Sequence, residues 1–130
     1  MVIRDAVEAD AERLAALTDA PTDVMRNLVH DRTVRVAADG DGNVEGFVSY
    51  DAQRQTVHVT QLEGDPELCE RLLKEPVRFA RTEEMAVELL VAEDDETTRR
   101  AADAAAFGEH GPGPRFDGMR TLRYRWEPNE

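Results

Sequence analysis

Few residues in this chain have the type and spacing that chemistry requires. Its one cysteine, Cys69, follows an Asp65–Pro66 pair that reads as a helix start, and a helix N-terminus activates a thiol by lowering its pKa. Cys69 also shares an apolar stripe with Leu72 and Leu73, which reads as a buried core thiol. A single cysteine forms no internal disulfide and no multi-cysteine zinc or iron–sulfur site. The histidines His30, His58 and His110 are far apart, and none stands at a metal-ligand spacing, so no metal is expected. Asp39, Asp41 and Asn43 alternate like the first ligands of a calcium loop, but the sixth and twelfth positions are Val44 and Tyr50. A calcium loop needs glycine and a bidentate glutamate there, so the segment reads as a hairpin turn. Arg32 and Arg35, and then Arg120, Arg123 and Arg125, fall in two extended segments. They either line a groove or pair with acidic neighbours.

Hydrophobic periodicity supplies the elements that must position these groups. Val2–Val7 reads as a short strand, and Asp10 as the cap of a helix carrying Leu14 and Leu17. Thr22 or Asp23 caps a second helix with Val24, Met25, Leu28 and Val29. Three strands follow as a meander: 33–38, 44–50 and 56–62. Asp65 is a good N-cap and Pro66 a good first helical residue, opening a helix that carries Leu68 to Ala80 and should kink or divide at Pro76. A strand at 86–91 returns parallel to 56–62, as in a β–α–β crossover. Asp94 or Asp95 caps a last helix running toward Phe107. Residues 108–118, rich in glycine and proline, read as a loop, and 119–126 as the final strand. The expected fold class is α/β (α+β): one domain, 1–130, with a mixed sheet of about six strands and helices on both faces.

Composition narrows the partners. There are 28 acidic and 16 basic residues for a net charge of −12, and Lys74 is the one lysine. Nucleic-acid affinity rests on Lys and Arg neutralising phosphates, and anionic membranes attract cationic segments. Neither nucleic acid nor a membrane is therefore an expected partner. No apolar run reaches the roughly 18 residues of a membrane span, and the first residues lack a signal-peptide apolar core, so the expected location is the cytoplasm. At 1 M salt the Debye length falls to about 3 Å, so dense like charge costs little there. The acidic, lysine-poor composition reads either as an ordinary solvated surface, with base composition favouring arginine and alanine, or as a salt adaptation of the haloarchaeal kind.

Several phrases, in this order of elements, resemble the GNAT superfamily of N-acetyltransferases. Ile3–Arg4–Asp5–Ala6, then Asp10 and Leu14, resembles its first strand and helix. Val44–Glu45–Gly46–Phe47–Val48 resembles its third strand, Val77–Arg78–Phe79–Ala80–Arg81 its central helix, and Leu89–Leu90–Val91 the strand after it. Ala104–Ala105–Ala106–Phe107–Gly108 stands where the family shows an aromatic residue, a short interval and Gly–Phe. The likeness covers nearly the whole chain.

The resemblance implies an acyl-CoA N-acyltransferase-like fold, a V-shaped opening between strands 56–62 and 86–91, and acetyl-CoA as cosubstrate. The acceptor would be a small-molecule or peptide amine. Gln61, Leu62, Glu63 and Gly64 would hold the cofactor through the loop before the central helix, with Arg71 the one basic residue nearby. This loop departs from the family: it has a single glycine, Pro66 has no N–H to give, and Glu63, Asp65 and Glu67 stand where two phosphates would lie. The family's general base is variable, and the candidates here are His58 and Glu88, or water. Ala104 stands where the family's general-acid tyrosine would be. Two readings stay open: an acetyltransferase with an unusual phosphate loop, or a non-catalytic ligand- or protein-binding domain, with a homodimer as one form.

Overall fold

The computed structural model describes residues 1–128. Its elements are β1 (Val2–Asp5), a 3-10 turn (Glu8–Asp10), α1 (Ala11–Thr18), α2 (Thr22–Asp31), β2 (Thr33–Ala38), β3 (Val44–Gln53), β4 (Thr56–Glu63), α3 (Pro66–Glu83), β5 (Ala86–Ala92), α4 (Glu96–Ala104), β6 (Gly108–Pro112) and β7 (Thr121–Trp126). All seven strands join one sheet in the order β1-β2-β3-β4-β5-β7-β6. Every neighbouring pair is antiparallel except β4 with β5. Among the described residues no helix is long and apolar enough to cross a membrane.

Alternation along the strands divides the core between the two faces of the sheet, as a period of two requires. Val48 and Tyr50 of β3 bury with Val57, Val59, Val87 and Leu89 under α3 and α4. Val34, Val36 and Phe47 bury on the other face against Leu14 of α1 and Met25 of α2. The hairpin between β2 and β3 closes on Asp39, whose carboxylate accepts from the backbone N–H of Asp41 and of Asn43, both at 2.9 Å.

Four expectations are corrected. The sheet has seven strands, because Gly108–Pro112 pairs with β7 instead of looping. Proline is tolerated there because β6 is an edge strand. Helix α3 is not divided at Pro76; the proline ring is fully buried, so packing of the helix against the sheet offsets the lost N–H. Asp10 does not cap α1 with its side chain. It turns back to accept from Val7 N–H at 2.8 Å and to hold Arg4 at 2.9 and 3.1 Å. Pro21, not Thr22 or Asp23, stands at the N-cap of α2.

Candidate active site

The parallel ladder between β4 and β5 is short. It pairs Thr56 with Ala86, Val57 with Val87, His58 with Glu88 and Val59 with Leu89, and then stops. Thr60–Glu63 and Leu90–Ala92 continue as strands without facing one another. The cause is on the other edge of β4, where the register with β3 shifts: Ser49 pairs with Gln61 and Tyr50 with Val59, leaving Thr60 as an extra residue. A bulge bends its strand and increases the local twist. Ser49 is fully buried, and its hydroxyl lies 2.5 Å from that of Thr60, which fixes the bulge. The β4–β5 ladder therefore ends beside one inserted residue.

His58 and Glu88 line one cavity of about 480 Å³ at this opening, walled also by Leu90, Pro114, Phe116 and Arg123. The imidazole of His58 makes no hydrogen bond to another described residue. Glu88 is claimed twice, by Arg123 Nη1 at 3.0 Å on Oε1 and by Arg125 Nη1 at 2.5 Å on Oε2. Burial alone would raise the Glu88 carboxyl, but the hydrogen bonds and charges of Arg125 and Arg123 outweigh it and hold the group below its ordinary value. Arg125 also pairs with Glu127. A carboxylate held so firmly in its ionised form accepts a proton poorly.

The remaining candidates lie at the far end of β4 and on α3. Gly64 has φ +146°, and Leu68 stands where a side chain at that position would grow. Gly46 of β3 lies beneath the same turn: a Cβ there would come within 2.5 Å of the Glu63 carbonyl oxygen and 2.8 Å of Leu68 Cδ2. Asp65 turns inward, its carboxylate accepting from Leu68 N–H at 2.8 Å, so it caps α3. Asp95 caps α4 by accepting from Thr98 N–H at 3.1 Å. Burial, and then the charge of Asp95, push the Glu63 carboxyl above its ordinary value. Gln61 Oε1 is buried without a hydrogen-bond partner. Arg71 is exposed on α3 and forms no ion pair among the described residues. The structure thus joins His58 with Glu88 in one cavity, and gathers Gln61–Gly64 at the mouth of the opening.

Cys69 is buried, and its thiol donates to the Gly64 carbonyl at 3.4 Å. Burial, with the nearby charges of Glu63, Asp65 and Asp95, pushes it up to about 11. The helix start that would activate it is overruled by desolvation and by the acidic cluster. Among the described residues no three His, Cys, Asp or Glu gather to hold a metal ion.

Two features were not foreseen. Phe116 and Pro114 reach the cavity from the 113–118 segment, whose position is set by Thr121, its hydroxyl donating to the Pro114 carbonyl at 2.5 Å. A phenol also stands near the opening, on the final strand. Tyr124 of β7, opposite Leu89 where the parallel ladder ends, is buried on the α3/α4 face and accepts from Arg99 Nε of α4 at 3.2 Å. Only the alternation of Leu122, Tyr124 and Trp126 could have placed it on that face.

Solved structures share this architecture over nearly the whole chain. A ribosomal-protein-alanine N-acetyltransferase from Brucella melitensis superposes with a TM-score of 0.82 at 17% identity, covering 98% of this chain and 99% of that one. The chain has the GNAT acetyltransferase fold. A GNAT-superfamily phosphinothricin acetyltransferase from Sinorhizobium meliloti, solved with acetyl-CoA, matches with a TM-score of 0.78 at 17% identity, covering 97% and 87%. A mutant spermidine N-acetyltransferase from Vibrio cholerae matches with a TM-score of 0.78 at 15% identity, covering 98% and 94%. No protein-family model matches the chain, and no curated protein matches its sequence. The GNAT likeness therefore lies in the backbone.

Proposed function

We propose that the protein is an N-acetyltransferase that moves an acetyl group from acetyl-CoA to a small-molecule or peptide amine. The observation that carries this reading is the β4–β5 ladder that ends at Val59 and Leu89 beside a cavity lined by His58. Unpaired strand edges there offer backbone N–H and C=O groups to an extended, amide-bearing chain, which is the chemistry of the pantetheine arm. Gln61, with its unpartnered amide oxygen, and Leu62 and Gly64 would hold that arm and lead to the start of α3. The diphosphate end fits less well, since Glu63 stands at the turn with Asp95 close enough to perturb it. The cap holds the Asp65 carboxylate toward Leu68 N–H but leaves its charge in place, and molar salt screens these carboxylates. Arg71 is the nearest cation in the sequence.

Bound acetyl-CoA supplies the acyl carbon and leaves as free thiol, so that a C–N bond replaces a C–S bond. His58 takes the proton of the acceptor amine, because it lines the cavity and its imidazole is bonded to no other described residue. Glu88 holds the arginines of β7 in place as an anion. Tyr124, oriented by Arg99, is the candidate to return a proton on the α3/α4 side, where Ala104 has none to give. The acidic surface suits a protein of a salt-rich cytoplasm.

Calorimetry with acetyl-CoA and with CoA in molar salt, followed by a thiol-release assay with amines, tests this reading. Binding of both with turnover supports it, and no binding of either would overturn it. Absence of binding would favour the alternative, a non-catalytic GNAT-fold ligand- or protein-binding domain that has lost acetyl-CoA binding, which the acidic loop and Ala104 support.

A further inference from the structure

The cavity at the opening has a charge balance that selects among amines, and the selection rests on the acetyltransferase reading above. Its one carboxylate, Glu88, has each oxygen bonded to a different arginine. With Glu127 on Arg125, the two carboxylates and two guanidiniums sum to zero. This is notable in a chain whose net charge is −12. A site for a polyamine needs uncompensated carboxylates, and this wall has none.

The unused hydrogen-bonding capacity points the other way. A guanidinium carries five N–H donors in a planar fork, and Arg123 gives only one hydrogen bond, to Glu88. Its side chain remains 38% exposed where it lines the cavity. Such a fork matches the two oxygens of a carboxylate. Leu90 pairs with Arg123 across β5 and β7, and it and Phe116 are exposed, at 37% and 56%. Pro114 completes this apolar wall.

The wall is also rigidly placed. Gly113 N–H donates to the Thr121 carbonyl at 3.0 Å, and Phe116 and Met119 exchange backbone hydrogen bonds at 3.1 and 2.8 Å. A Cβ at Gly113 would come within 2.8 Å of Leu90 Cδ2, so glycine is what lets the segment lie against β5. From His58 on β4 to Arg123 on β7 is two strand spacings across and two residues along the sheet, roughly 12 Å between backbones, a gap that the two side chains narrow toward one small ligand.

We propose that the acceptor is an amine that also carries a carboxylate and an apolar group, the chemistry of an apolar amino acid. Its carboxylate binds the free edge of Arg123, its side chain lies on Leu90, Pro114 and Phe116, and its amine faces His58. Acetylation then forms the N–C bond on that amine, the C–S bond of the thioester breaks, and the amine proton leaves through His58.

The test compares L-phenylalanine, phenethylamine, 3-phenylpropionate and spermidine as ligands of the full-length protein, by calorimetry with and without CoA. Phenylalanine is expected to bind about tenfold or more tighter than phenethylamine, as a charge-assisted bond to a guanidinium allows. The propionate should compete with it. Arg123→Gln should remove the preference for the carboxylate; Arg123→Lys, which keeps the charge, should retain part of it and serves if the first variant fails to fold. Phe116→Ala should weaken both aromatic amines equally. Equal binding of phenylalanine and phenethylamine, tighter binding of spermidine, or no binding of phenylalanine would overturn the proposal. The thiol-release assay separates the two levels. Phenylalanine bound through Arg123 with no amine acetylated at all would sink the enzyme reading and leave a ligand site for the amino acid. Acetylation of spermidine in preference to phenylalanine would sink this proposal alone.

Discussion

His58 and Glu88 are register partners across the parallel ladder of β4 and β5, one pair before that ladder ends. They face the same cavity but differ in commitment: Glu88 is bonded to two arginines, whereas His58 is bonded to none of the described residues. The pair therefore divides into a fixed anion and an available base.

Replacing His58 with glutamine should lower kcat by about a hundredfold or more, the usual worth of a general base, and leave acetyl-CoA affinity within about twofold by calorimetry. An unchanged kcat would remove His58 from the mechanism.

Glu63→Gln should stabilise the protein at neutral pH and tighten CoA binding. The carboxyl of Glu63 is held above its ordinary value by burial and by Asp95, so the folded state binds its proton more readily than the unfolded chain. Its ionisation therefore opposes folding at neutral pH, and the penalty begins as pH rises through the ordinary range. The same anion opposes a diphosphate, so wild-type affinity for CoA should rise from low to molar salt and that slope should flatten in the variant. A CoA affinity that falls with salt in both proteins would contradict this.

Glu75 is 7% exposed and joins Arg35 at 2.9 Å to Arg78 at 3.4 Å, with Asp5 also on Arg35 at 2.7 Å. Without Glu75, Arg35 keeps Asp5 as its partner and Arg78 is solvated, so what is lost is the charge-assisted hydrogen bond itself. Glu75→Ala should cost about 1–2 kcal/mol in chemical denaturation, and a loss under about 0.5 kcal/mol would show that Asp5 and solvent compensate Arg35 fully.

Acid should unfold the protein through Asp10 and Glu88. Arg4 holds Asp10, and Arg125 and Arg123 hold Glu88, below their ordinary values. The unfolded chain then takes up these protons first, so the stabilisation is complete above about pH 4 to 4.5 and is lost below it. Denaturation midpoints between pH 6 and pH 2 should drop through that range. Asp10→Asn should drop less, having lost the contribution already.

Gly46→Ala should displace the turn before α3, because its methyl would meet the Glu63 carbonyl and Leu68. A loss of about 1–3 kcal/mol is the usual cost of such overpacking, and CoA affinity should fall with it. Full stability and affinity together would mean the turn yields freely.

Most of the frame was legible in the sequence because its signals are local. Asp65 caps α3 and Pro66 opens it, as their types predict. The alternation of Phe47 with Val48 reports a strand buried on both faces, and both are fully buried. What escaped is what depends on partners far along the chain. Strand β6 has the composition of a loop and is extended only because β7 pairs with it. Pro76 signals a break that tertiary packing overrides. His58 and Glu88 are drawn together by a crossover, but nothing local says that Arg123 and Arg125 would both settle on Glu88 while His58 stays free. The bulge at Thr60 has no sequence mark beyond two hydroxyl residues, Ser49 and Thr60, that meet only once β3 and β4 are in register.

The four residue pairs joining β4 to β5 also have a mechanical meaning. They make the sheet two leaves on a short spine, β1–β4 on one side and β5–β7 on the other, with α3 as the strap between them. A four-pair spine resists shear weakly, so an occupant seated between the leaves would act as the missing rungs. Amide exchange along Leu62–Glu63 and Val91–Ala92 should therefore be the part of the sheet that slows most when CoA is added.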